Sequence, residues 1–99
     1  MLNISKSIEE GKALYCLEGR LDTETSPSFE KEVLDCPEEV TELVLDFEKL
    51  DYISSAGLRV LLAAQKMMRD RGSMIVKNVS EIVMEVFEVT GFSDILTIE

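Results

Sequence analysis

The residues best equipped for chemistry are Ser54 and Ser55, set in DYISSAGLRVLLAA between a strand-like run and a strongly apolar helix-like run. Hydroxyls at such a junction can cap a helix, act as a nucleophile, cradle a phosphate or accept one. Nucleophilic attack by serine wants a base for its proton, and the chain contains no histidine. The nucleophile elbow G-x-S-x-G is also missing, since Ile53 stands where its first glycine would be. No Gly-Lys-Ser or Gly-Lys-Thr string offers a phosphate-binding loop. Asp46, closing ELVLDF, invites comparison with a receiver-type phospho-aspartate. That chemistry requires paired acids after the first strand to hold magnesium, and only Glu9 and Glu10 lie there, in a turn. A solvated strand end is the plainer reading of Asp46.

Two readings of the serines survive. A serine ahead of a helix ordinarily accepts a hydrogen bond from a first-turn N–H, worth about 1 kcal/mol over alanine. One serine suffices for a cap, yet there are two. Gly57 in the first turn costs about 1 kcal/mol against alanine, so a close backbone approach or a special turn must require it. Ala56 keeps the lip of the site small. The alternative is an exposed hydroxyl that accepts a modification.

The 99 residues suit a single domain spanning 1–99, and 45% apolar residues can bury one core. Twenty acidic against ten basic side chains leave a net charge of −10. That balance opposes a nucleic-acid partner, whose affinity comes from Lys and Arg neutralising phosphates, and opposes an anionic membrane surface. It suits protein partners with basic faces. The longest apolar run, Val60 to Ala64, is far short of the roughly 20 residues that insert across a membrane. Met1 to Lys12 lacks the apolar centre of a signal peptide, so a cytoplasmic location is expected. Cys16 and Cys36 lack metal-ligand spacing and read as two reduced thiols. Neither a metal nor a cofactor is expected.

The elements that must position the serines follow from periodicity. Leu2 to Ile8 reads as a strand closed by a Glu10-Gly11 turn, and Ala13 to Leu17 as a strand apolar on both faces, covered on two sides. A first helix is expected with Ser26 as N-cap and Pro27 at its first position, carrying Phe29, Val33 and Cys36 inward. Glu42 to Phe47 is the clearest strand. A buried helix from about Ala56 to Arg71 follows, with Gly72 at its end. Met74 to Val76 gives another strand. Ser80 caps a third helix carrying Ile82, Val83, Val86 and Phe87, which Gly91 ends, and Phe92 to Ile98 is a helical turn and an extended tail. Strands alternating with helices predict a largely parallel sheet, and in such sheets functional groups gather beyond the carboxyl ends of the strands. Two loops qualify there: Leu21 to Thr23 and Tyr52 to Gly57.

YISSAGLRVLL resembles the signature of anti-sigma factor antagonists, the small stand-alone STAS domains of bacterial partner-switching pathways. GRLDTETSP at Gly19 to Pro27 and VTGFSDIL near the C-terminus resemble two further segments of that family, in register over essentially the whole chain. The resemblance implies an α/β STAS fold: a mostly parallel sheet of about four to five strands, a hairpin-like N-terminal edge, and helices packed on the sheet. It implies a binding protein, with no catalytic residues, rather than an enzyme. In that family the unphosphorylated antagonist binds an anti-sigma factor that is also a serine kinase, freeing the sigma factor. The kinase then phosphorylates a serine in an Asp-Ser-x-Gly segment, and a PP2C-type serine phosphatase resets the cycle.

Carried onto this sequence, the acceptor is Ser55. Ser54 replaces the usual preceding acid and is a second candidate. Ala56 holds the position that is the acceptor in some members, and it cannot carry a phosphate. Asp22 matches the family's strand-two aspartate, expected to sit beside the serine and help present it. A turn or cap aspartate is the alternative. The expected partner surface comprises Asp22, Thr23, Tyr52, Ser54, Ala56, Gly57 and Leu58, although Leu58 also reads as core. A different function on the same fold is a non-switching STAS scaffold, an accessory subunit of a lipid- or anion-transport complex.

Overall fold

The computed structural model describes residues 1–99. In chain order it has β1 (Leu2–Glu9), β2 (Lys12–Leu21), α1 (Ser26–Leu34), β3 (Glu42–Ile53), α2 (Ser55–Arg71), β4 (Ser73–Lys77) and α3 (Glu81–Thr90). The strands lie in the order β1-β2-β3-β4 in one sheet. β1 and β2 form an antiparallel hairpin, whereas β2–β3 and β3–β4 are parallel pairs joined through α1 and α2. The hairpin closes through Glu10 and Gly11, both at positive φ (48° and 81°), as a two-residue turn matched to strand twist requires. A 3₁₀ turn, Phe92–Asp94, leads to an extended end where Ile98 makes a single parallel bridge to Val76. The sheet therefore has four strands and one bridging residue at the β4 edge.

Alternation within the strands decides where the core lies. Ala13, Tyr15 and Leu17 of β2, Leu43 and Leu45 of β3, and Met74 and Val76 of β4 are essentially sealed from solvent. The alternate residues Leu14, Cys16, Asp46 and Ile75 are only half-buried. The expectation that β2 is covered on both faces is corrected: its apolar run is sealed on one side and partly open on the other. A cluster of 23 buried residues fills the sealed side. Phe47 of β3 meets Phe87 of α3 with ring centroids 6.4 Å apart, which seats α3 on the sheet. Arg71 at the end of α2 donates to the carbonyls of Cys36 and Pro37 (3.2 and 3.3 Å), tying it to the chain beyond α1.

Several boundaries depart from the sequence reading. β2 and β3 run on to Leu21 and Ile53, through polar stretches that carry no strand signal. The β2–β3 register slips between Cys16 and Glu18 and again between Gly19 and Arg20. Gly19 absorbs this with φ 111°, where a Cβ would collide with the Met1 carbonyl. The first helix starts at Ser26 with Thr25 as its N-cap, so Ser26 is not the cap. Its hydroxyl, almost fully buried, donates to the Asp22 carbonyl instead. Cys36 is buried but lies past the helix end at Leu34.

Candidate functional site

The two extended strands deliver their ends side by side. Arg20 pairs with Tyr52 and Leu21 with Ile53, and the Ser54 N–H donates to the Leu21 carbonyl at 2.8 Å. The loop into α1 and the first turn of α2 thus leave the sheet from adjacent points at its carboxyl edge, where open parallel sheets carry their sites.

The serines divide the work. Ser54 is the N-cap of α2, with extended backbone (φ −101°, ψ 175°), and its hydroxyl accepts from the Gly57 N–H at 3.4 Å. Its carbonyl accepts the Leu58 N–H at 3.0 Å. Ser55 is the first helical residue and is exposed. The expected start at about Ala56 is late by this one residue, and that shift separates a structural serine from a displayed one. The next residues go inward. Gly57 is buried, and a Cβ on it would lie 2.8 Å from Leu21 Cγ and 3.0 Å from Ile53 Cγ1. The glycine is there for close approach. Leu58, expected on the partner surface, is 6% exposed and packs in the core, and Gly57, expected there too, is buried. Ala56 stays half-buried at the rim.

The neighbouring loop is knotted around Asp22. Its Oδ1 accepts from the N–H groups of Glu24 and Thr25, both at 3.0 Å, while its own N–H donates to Thr25 Oγ1 at 2.9 Å. The Thr25 hydroxyl donates to the Arg20 carbonyl at 2.8 Å. The Thr25 N–H bond, with further bonds from its side chain and from Glu24, holds the Asp22 carboxyl below its ordinary value. Asp22 is thus an Asx-type turn residue whose carboxylate is largely committed to its own loop. Thr23 is exposed on that loop.

Arg20 joins the loops, and sequence reasoning missed it. Its guanidinium carbon lies 4.3 Å from the Tyr52 ring centroid, and its Nε is 3.8 Å from Asp22 Oδ2. Tyr52 remains 37% exposed beneath it. The available signal was the pairing of two strand ends, invisible while β2 and β3 were read as ending early. Between the first turns of α1 and α2 runs a shallow groove of about 270 Å³, from Thr23 and Pro27 to Ala56 and Arg59. It places a cation, Arg59, one helical turn beyond Ser55.

Asp46 is elsewhere and differently employed. Its Oδ1 accepts from the Glu48 N–H (3.0 Å) and from Asn78 Nδ2 (3.1 Å), bracing β3 against the turn after β4. No group of three His, Cys, Asp or Glu side chains converges in a metal-holding arrangement. No helix is long and apolar enough to cross a membrane. At the carboxyl edge, then, Asp22, Thr23, Tyr52, Ser54, Ser55 and Ala56 come together, and the Ser55 hydroxyl is exposed on the first turn of α2.

Residues 3–99 match the family model described as STAS domain. BtrV of Bordetella bronchiseptica, a candidate anti-sigma factor antagonist, is 35% identical over 91 residues, covering 90% of this chain and 78% of that protein. The anti-sigma-B factor antagonist of Listeria monocytogenes is 33% identical over 104 residues, covering 99% of this chain and 90% of that one. Among solved structures, the Bacillus cell fate determinant SpoIIAA in its phosphorylated form has the same fold. Its TM-score is 0.76 at 19% identity, over 98% of this chain and 91% of that one.

Proposed function

The chain belongs to the STAS domain family, and from that premise we propose that it is an anti-sigma factor antagonist switched by phosphorylation of Ser55. Unphosphorylated, it binds an anti-sigma factor serine kinase and so releases the sigma factor. Phosphorylated, it lets go, and a PP2C-type serine phosphatase restores it. The names of its relatives support the antagonist role. The observation that carries the residue assignment is the exposed Ser55 hydroxyl on the first turn of α2, beside a Ser54 already occupied as the cap.

The physics of that position suits a reversible switch. A phosphate adds about −1.5 to −2 charges at neutral pH. On the first turn of a helix it meets unpaired N–H groups and the positive end of the helix dipole, so the fold tolerates it. The effect falls on the interface, where a dianion pressed against a partner without a counter-charge is costly to desolvate. Moving a complex from roughly nanomolar to micromolar affinity takes only about 4 kcal/mol. Tyr52 under Arg20 offers the partner an amphipathic contact next to the serine, and Asp22 acts by holding its loop in shape. The protein works by binding, not by catalysis, and in the cytoplasm.

Binding of the purified kinase in the presence of ATP tests this reading. Ser55→Ala is expected to stay bound indefinitely. Ser55→Asp is expected to keep the wild-type unfolding curve and bind roughly a hundredfold or more weakly. A folded Ser55→Asp protein that binds at full strength would overturn the assignment.

A further inference from the structure

Helix α3 turns part of an apolar sequence into water. It buries Val83 and Phe87, yet Ile82 is 61% exposed and Val89 86% exposed, with half-buried Val86 between them. Spacings of four and three residues place these side chains on one stripe. With Glu85 and Thr90 they line a shallow, mostly apolar depression. Single exposed aliphatic residues are ordinary, but a continuous row along a helix marks a contact surface. Glu81, Glu85 and Glu88 repeat the same spacing beside the stripe, and α3 holds no basic residue to offset them. Glu85 and Glu88 also border a second depression with Val79 and Met84. An apolar row flanked by three like charges one turn apart is poorly served by solvent alone.

We propose that this face of α3 docks a basic amphipathic helix of a partner protein. The partner's apolar residues, at i, i+3, i+4 and i+7, would sit on Ile82, Val86 and Val89, and its Lys or Arg flank would pair with the glutamate row. Charge selects this occupant. A second copy of the chain would set glutamate row against glutamate row, each carrying a net charge of −10. A neutral bilayer would leave the glutamates unused. The proposal stands independently of phosphorylation at Ser55, since it concerns a different helix.

The test is a titration of the ¹⁵N-labelled full chain with a synthetic helical peptide of leucine and lysine, leucines at i, i+3, i+4 and i+7. A scrambled peptide of identical composition is the control. Amide shifts are expected to concentrate on Glu81–Thr90, with affinity roughly tenfold or more above the scrambled peptide. Ile82→Glu with Val89→Glu is expected to abolish that preference, as is Glu85→Lys with Glu88→Lys. Glu85→Gln with Glu88→Gln, which keeps the shape, is expected to weaken binding and flatten its salt dependence. Equal binding of both peptides, shifts dispersed over other acidic surfaces, self-association through α3 in sedimentation, or α3-dependent binding to phosphatidylcholine vesicles would each overturn the proposal.

Discussion

Two adjacent serines with the same hydroxyl are made unlike by a single residue of helix phase. Ser54, outside the helix, accepts the Gly57 N–H, whereas Ser55, inside it, points to solvent. Ser54→Ala should therefore lower unfolding free energy by about 0.5–1 kcal/mol, at the weak end for caps given its 3.4 Å bond. Ser55→Ala should leave the urea midpoint unchanged, and the same titrations report both. Asp22 supplies a pH signature. Its carboxyl is held below its ordinary value in the folded chain, first by the Thr25 N–H. Its stabilising contribution is thus complete above the unfolded-state value and disappears as pH falls through the folded one. Urea midpoints of the wild type and Asp22→Ala should differ near neutral pH, and the difference should shrink as pH falls below the unfolded-state carboxylate value. The place of the serine pair at a strand-to-helix junction was legible, but their unlike positions were not, because a one-residue boundary lies below the resolution of periodicity. Arg20 stayed hidden for a different reason: its partners, Tyr52 and Asp22, meet it only once strands are in register.

Among the elements, α2 carries the display, and its first turn depends on how close it can come to the strand ends. Gly57→Ala would push a methyl against Leu21 and Ile53, both buried and unable to retreat. Overpacking of about 1–3 kcal/mol should outweigh the gain of about 1 kcal/mol in helix propensity. Thermal unfolding should show net destabilisation, and kinase binding should weaken because Ser55 moves with the turn. The need for close approach was readable from Gly57 alone. The Glu10-Gly11 turn, the apolar face of α2 and Gly91 as the end of α3 were equally plain. The lengths of β2 and β3 were not. Glu18, Gly19 and Arg20 lie where a bulge turns the strand, and Glu48, Lys49 and Asp51 are exposed toward its end, so neither stretch alternates cleanly. One-sided cover of β2 was misread for a related reason: Leu14 and Cys16 are apolar but only half-buried.

At the scale of the molecule, a net charge of −10 acts on encounter more than on the fold. Association with a kinase that offers a basic face should slow as salt rises, with dissociation nearly constant, in stopped-flow or surface-binding kinetics. The same charge opposes self-association, and the α2 end and the α3 stripe lie on different helices. The claim on which everything else turns is that a protein kinase reaches one hydroxyl on the first turn of α2. Incubation with the anti-sigma factor kinase and ATP, followed by intact mass and fragment sequencing, addresses it directly. One phosphate, on Ser55, with loss of the complex as it accumulates, is the predicted result; phosphate on Ser54 alone, or none at all, would contradict it.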